Sequence, residues 1–348
     1  MTIIKDSLKA LIGSHDISAG LHSTIGARER KKDRYLHLMK GINIVSYSTF
    51  GNLHTCERKF ALKKLQQASI VNDPNYVPYT NIDFAFGKAI ETGVQSIFLG
   101  KGVRETFFDM FLAWDMPLNA AHPKGNPKAF VDAVIAVDKF RIIKDSIFPG
   151  WEIAYFNGKP AVELGMLIDL ETGHYYVGHA DIILWHPREN RYRVLEIKTT
   201  GFNNLHEAMY KNSDQATGYS IMLDSIAADR ESTATFEVFY LVFATGLDSW
   251  KPFEFTKSRS MRAGWINTIL LDIQRVNIYE KAGYWPKRGG SCFDFFKPCE
   301  FFNTCDLGFE HWTPGGKFAI VNKEDLDKHE FDFKFKLSEI IQTQKELI

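Results

Sequence analysis

The alternation of apolar and polar positions divides the chain into a helical first third, a strand-rich middle and a mixed C-terminal part. Residues 1–44 are polar with weak periodicity and predict a partly helical lead-in. Ser46-Tyr47-Ser48-Thr49 has the composition of a helix N-cap, and a helix carrying Cys56 is predicted from Thr49 to about Gln67. Residues 70–82, rich in Asn, Pro and Tyr, predict a loop. Between Phe84 and Leu99, Phe86, Ile90, Val94, Ile97 and Phe98 recur at the spacing of one helix face. Residues 104–146 predict further helix, interrupted at Pro117 and across residues 122–127.

Residues 151–156, 161–169, 174–185 and 191–198 are rich in Val, Ile, Tyr and Trp. Turn residues separate them, among them Asn157-Gly158, Glu171-Thr172-Gly173 and Pro187-Arg188-Glu189-Asn190. This pattern predicts an antiparallel meander. A helix over 205–225, strands over 235–244 and 252–257, and a long helix over 259–282 follow. A cysteine-rich loop and a polar tail with a short amphipathic helix near 337–347 close the chain. The order predicts an α/β fold, a sheet flanked by helices with helical N-terminal elaboration. The expected division is a lead-in at 1–44, one domain at 45–306 and a tail at 307–348.

With 348 residues, 45% of them hydrophobic, the chain can build a large core. It has no run of about 18 apolar residues that would cross a membrane and no secretory leader, so a cytoplasmic protein without membrane partners is expected. Lys and Arg number 42, as do Asp and Glu, so overall charge does not point to nucleic acid. The basic clusters Arg28-Glu29-Arg30-Lys31-Lys32 and Arg58-Lys59 with Lys63-Lys64 are expected to be solvated helix faces. Trp285-Pro286 with Lys287-Arg288 is expected to be a solvated turn, and His54, His174 and His179 to be structural.

Chemistry concentrates in Gly178-His179-Ala180-Asp181 and Leu195-Glu196-Ile197-Lys198-Thr199. A hairpin turning at 186–190 sets Asp181 opposite Leu195 or Glu196. Strand alternation puts Glu196 and Lys198 on one face and Leu195 and Ile197 on the other. Burying such charges is costly unless they are paired or bind a metal. Asp181, Glu196 and the Ile197 carbonyl form an all-oxygen set suited to Mg²⁺ or Mn²⁺. Lys198 could then stabilise charge on a phosphate or position the attacking water. The competing reading is a surface strand with a cross-strand ion pair. Gly178 allows a close backbone approach, Gln215 and Tyr219 share a face of the following helix, and Glu91 on the earlier helix could add a third carboxylate.

These pieces, Gly178-x-x-Asp181, Glu196-x-Lys198-Thr199 and Gln215-x-x-x-Tyr219, resemble the RecB-like branch of the PD-(D/E)XK nuclease superfamily over residues 44–306. The resemblance implies a restriction-endonuclease-like core and a metal-dependent DNA exonuclease. Its partners would be DNA ends or single strands, with a separate helicase or recombination partner. It implies metal binding by Asp181 and Glu196, catalysis by Lys198, and support of the site and DNA contact by Gln215 and Tyr219. Glu163 matches a further strand glutamate of this branch. Where the family usually carries a metal-binding His on the early helix, this chain has Glu91.

Four cysteines are present, Cys56 upstream and Cys292, Cys299 and Cys305 close together. Such clustering in a reducing compartment suggests ligation rather than disulfides. The split resembles the iron–sulfur staple of RecB-like nucleases of the AddB and CRISPR-adaptation types, which implies a [4Fe–4S] cluster on all four thiolates. The spacing departs from the family's short Cys-x-x-Cys step and keeps Zn²⁺ open. Two other functions compete with the nuclease: a non-catalytic nucleic-acid-binding or assembly module, and a redox or metal sensor centred on the cysteines.

Overall fold

The computed structural model describes residues 38–71, 81–230, 232, 237–294 and 297–346. The basic cluster at 28–32 and most of the predicted lead-in and of the 70–82 loop lie outside the described residues. Helix α1 (Tyr47–Thr55) starts at Ser46, whose hydroxyl accepts from Thr49 N while Thr49 Oγ1 accepts from Ser46 N. The single helix predicted through Cys56 is instead two, because Cys56 is extended (φ −164°, ψ 120°) and α2 (Glu57–Val71) restarts beyond it. Helices α3 (Ile82–Phe98), α4 (Val103–Ala113) and α5 (Phe130–Ile147) follow.

The predicted meander forms the middle of a mixed eight-stranded sheet. Short β1 (Ile44–Val45) and β2 (Glu152–Ile153) pair with the long strand β6 (Tyr175–His186). The Asn157-Gly158 turn, both residues at positive φ, joins the small hairpin of β3 (Tyr155–Phe156) and β4 (Lys159–Pro160). Strands β5 (Val162–Asp169), β6 (Tyr175–His186) and β7 (Arg191–Thr200) are antiparallel. The chain then passes through α6 (Ala208–Lys211) and α7 (Asp214–Asp229) and returns as β8 (Glu237–Ala244), parallel to β7. Strand β9 (Ser249–Thr256) pairs with β8, and α8 (Arg259–Ala282) covers the predicted long helix.

Alternation along the strands builds two cores. Ile182, Leu184, Leu195, Ile197 and Leu241 pack against α3 and α5, whereas Ile183 and Val194 face α7 and α8. Burial of these apolar surfaces on both faces holds the layers together.

The C-terminal part differs most from the pattern. After the hairpin of β10 (Phe293–Asp294) and β11 (Lys297–Pro298) and the short helix α9 (Lys323–Asp327), β12 (Phe333–Lys336) joins the sheet edge parallel to β5. Helix α10 (Leu337–Glu346) then packs on α7. Trp285, expected in a solvated turn, is 1% exposed and packs against Phe60, Tyr279 and Phe318. The expected solvated face of α2 is also occupied. Arg58 donates to the Cys305 and Leu307 carbonyls, Lys63 pairs with Glu300, and buried Lys64 donates to the Met39 and Ile44 carbonyls. Burial lowers the Lys64 ammonium pKa to about 7.

Glu57, buried at the start of α2, receives Arg288 and Arg275, with Nη2 atoms 2.6 and 2.8 Å from Oε1. Arg288 and Arg275 hold its carboxyl at about 2, against 4.5 ordinarily, although burial opposes the shift. A carboxyl lowered on folding stabilises the fold above its unfolded pKa, and that contribution fades as pH falls towards the folded value. Urea midpoints of the wild type and Glu57→Gln should therefore be well separated at pH 6 and converge between pH 4.5 and 2. Parallel curves across that interval would contradict the assignment.

Candidate active site

Strands β6 and β7 are paired from His186↔Arg191 to Ile182↔Leu195, and there the ladder stops. One step further lie Asp181 and Glu196, so the hairpin sets these carboxylates opposite each other where the strands part. Strand β7 continues alongside β8 to Thr200, with Glu196 beside Tyr240 and Lys198 beside Val242. Asp181 replaces part of the lost ladder: its Oδ2 accepts from Ile197 N at 2.9 Å. The other partner of β6 is also interrupted at this level. The β5 ladder runs from Val162↔Ile182 to Leu164↔Ala180 and skips Glu163, which has a φ of 46°. The fork thus coincides with a break on each side of Asp181.

Glu196 is 0% exposed and Asp181 6%. Lys198 Nζ lies 2.5 Å from Glu196 Oε1, while its side chain keeps 37% of its exposure. Burial works against the Lys198 charge, but Glu196 and Asp181 outweigh it and raise the ammonium pKa above its usual range. Lys198 therefore remains protonated at neutral pH and acts as a fixed positive charge at the mouth of a carboxylate pocket.

Helix α7 closes the Glu196 side. Tyr219 OH accepts from His179 N at 3.3 Å, and Gln215 Nε2 donates to the same hydroxyl at 3.3 Å. Burial first, then Glu196 and Asp181, push the Tyr219 phenol well above its usual range, so it stays neutral. The ring lies so close to Gly178 that a Cβ there would sit 2.6 Å from Tyr219 Cε1. Gly178 is required for this close approach.

Helix α3 approaches from the opposite face. Glu91 accepts from Gln95 Nε2 at 3.2 Å, and the same amide lies 3.5 Å from the Asp181 carbonyl. Gly87 comes close to Thr199 Oγ1. Glu91 and Glu163 are buried at 8% and 6% exposure, and Glu163 and Gln95 line an open cavity of about 880 Å³ beside the fork. Asp181, Glu196, Lys198, Gln215 and Tyr219 are brought together, whereas Glu91 reaches Asp181 through Gln95. Among the described residues, no three His, Cys, Asp or Glu side chains are disposed to hold a metal ion.

Sequence reasoning did not single out Gln95 or Tyr240. Gln95 carried a signal, lying four residues after Glu91 and hence on the same helix face. Tyr240 carried none, since only the parallel β7–β8 register sets it beside Glu196.

The cysteine segments also meet. Arg58 N donates to Pro286 O, Ser291 Oγ to Thr55 O, and Cys299 N to Cys292 O. Arg58 Nε donates to Cys305 O. All four residues are free thiols, and Cys292 is exposed.

Gly178→Ala is expected to cost about 1–3 kcal/mol through overpacking. In a Tyr219→Ala background, where no ring opposes the new methyl, the same change should cost little. Additive penalties in urea denaturation would show that the Gly178–Tyr219 contact is not the constraint.

No family model and no curated protein matches the chain. Among solved structures, the chain is similar to the crystal structure of a "putative exonuclease" from Eubacterium rectale, with 12% identity, a TM-score of 0.43, and coverage of 80% of this chain and 98% of that one. It is also similar to the crystal structure of SSO0001, with 12% identity, a TM-score of 0.24, and coverage of 61% and 85%. At these levels neither likeness carries an activity to this chain. The fold that stands on its own geometry is mixed α/β, with a central mixed sheet flanked by helices.

Proposed function

We propose that the protein is a metal-dependent phosphodiesterase acting on DNA, an exonuclease of the RecB-like PD-(D/E)XK kind. The observation that carries this reading is the pocket where β6 and β7 part, with buried Asp181 and Glu196 facing Lys198. A buried carboxylate pair is costly as a purely structural device, but its hard oxygen atoms suit Mg²⁺ or Mn²⁺. Asp181, Glu196 and the Ile197 carbonyl would hold the ion, while Glu91 stands behind Gln95. Bound there, it would polarise the phosphate and lower the pKa of a water.

The chain's own groups account for the remaining work. Lys198, partly exposed and protonated, can leave Glu196 for a phosphate oxygen and stabilise the charge that grows as water attacks phosphorus and the P–O bond to the leaving sugar breaks. Its raised pKa makes it an electrostatic group rather than a base. Tyr219 and Gln215 brace the β6 backbone at His179, beside Asp181. The thiolates of Cys56, Cys292, Cys299 and Cys305 are proposed to hold a [4Fe–4S] cluster, with Zn²⁺ as the alternative. Support comes from the convergence of the Cys56, Cys292, Cys299 and Cys305 segments, which joins the start of α2 to the region after α8.

Purified protein with Mn²⁺ or Mg²⁺ should degrade end-labelled linear DNA and spare closed circles. Glu196→Ala and Lys198→Ala should each lower the rate by about 10²–10³ or more. A wild type as inert as Glu196→Ala on every substrate and metal would leave the non-catalytic binding module as the better reading. Anaerobically purified protein should be coloured by iron–sulfur charge transfer and lose that visible absorption in Cys56→Ala. A colourless protein with stoichiometric zinc would replace the cluster by Zn²⁺ and leave the nuclease reading intact.

A further inference from the structure

On the α7 side of the sheet, next to the carboxylate fork, lies a second cavity of about 170 Å³. Its floor is aromatic and buried, made by Phe50, Tyr176 and Trp265 with Ile269. Its rim is polar and open, made by Tyr47, Gly51, His54, Asp214 and Thr268. Buried Asp272 stands between floor and rim, with Oδ2 2.5 Å from His54 Nε2 and Oδ1 3.0 Å from Arg275 Nη1.

The cavity adjoins the proposed active site through three elements. Asp214 on its rim directly precedes Gln215, which holds Tyr219. Tyr176 in its floor lies on β6, two residues before Gly178 and close enough to Tyr219 for the two phenols to feel each other. Tyr47 on its rim is close enough to Tyr240, the neighbour of Glu196, to influence its phenol.

Size and lining together narrow the ligand. An apolar cavity of about 150 Å³ holds one benzene ring, so this one has room for a single heteroaromatic ring system. Aromatic walls favour a flat π-system. The exposed carboxylate of Asp214 on the rim can accept hydrogen bonds, which favours a base that carries N–H donors on its edge.

We propose that this cavity receives one unstacked nucleobase bearing an exocyclic amino group, from the DNA strand whose phosphate occupies the Asp181–Glu196–Lys198 fork. This deepens the nuclease reading and rests on it for the strand's identity, but base binding itself can be tested without hydrolysis. A base held here must leave the duplex stack, so the productive substrate is a single strand or a frayed end.

Gly51 provides the test, because it lies within a helix at the cavity and a Cβ built on it meets nothing within 4 Å. Gly51→Leu is chosen to put bulk at the cavity from a position whose Cβ meets no neighbour, and Gly51→Ala serves as the folding control. Free guanosine, adenosine, cytidine and thymidine are titrated against intrinsic tryptophan fluorescence, since Trp265 lies in the floor. In EDTA, where no hydrolysis occurs, labelled single strands are compared with strands of the same length containing consecutive abasic sites. Hydrolysis of bis(p-nitrophenyl) phosphate, which has no base, is followed in Mn²⁺.

The expected result is quenching by the amino-bearing nucleosides and weaker quenching by thymidine, both lost in Gly51→Leu but kept in Gly51→Ala. Gly51→Leu should also weaken binding of the normal strand by about tenfold, the scale of one lost stacking contact, and leave the abasic strand and the chromogenic ester unchanged. Equal binding of normal strands by Gly51→Leu and wild type, or no difference between normal and abasic strands, overturns the proposal. A wild type that binds nucleosides as expected but hydrolyses neither DNA nor the ester sinks the nuclease reading and not the base cavity.

Discussion

Everything at the candidate site follows from the cost of placing carboxylates where water is scarce. Glu196 is fully buried on a central strand, and Asp181 almost so. The strands accommodate them by parting. Once the β6–β7 ladder stops at Ile182↔Leu195, Asp181 can take the Ile197 amide as a donor and Glu196 can reach Lys198 along its own strand. An uninterrupted hairpin would have spent the same amide on a backbone carbonyl and left the carboxylate needing another partner.

The fork is held open from both faces of the sheet. Helix α7 presses Tyr219 onto Gly178, and the Tyr219 hydroxyl accepts from His179 N. Helix α3 runs along the other face, with Gln95 at the Asp181 carbonyl and Gly87 at Thr199. Helix α7 approaches β6 more closely than a bulkier residue would allow at Gly178. The β6 strand is thereby fixed where its own ladder no longer fixes it, and the carboxylate geometry depends on packing tens of residues away in sequence.

The outer parts of the chain are tied together by charge as well as by apolar burial. Glu57 at the start of α2 gathers Arg275 and Arg288, while His54 at the end of α1 pairs with Asp272 on α8. The Asp272 hydrogen bond raises the His54 pKa, although burial and Arg275 oppose it, so this tie is strongest when the imidazole is protonated and weakens as pH rises. Trp285 sits beneath this region, against Phe60 and Tyr279. These contacts bring Cys56 to the segments of the other three cysteines. Among the described residues, no helix is long and apolar enough to cross a membrane.

Periodicity alone determined the elements whose pattern is local. The meander of β5, β6 and β7, the limits of α8 and the Ser46 cap could be read directly, since side-chain alternation, helix spacing and capping chemistry depend on near neighbours. The facing of Glu196 and Lys198 was likewise legible, because residues two apart on a strand share a side. The chain could not announce the break at Cys56, the burial of Trp285, the seating of Phe333–Lys336 beside β5 or the placement of Tyr240 beside Glu196. Each depends on a partner more than 40 residues distant, or on a parallel register that no short-range pattern encodes. Local pattern set which groups could be acidic neighbours, and only the folded sheet decided where two strands part and which helices press upon the gap.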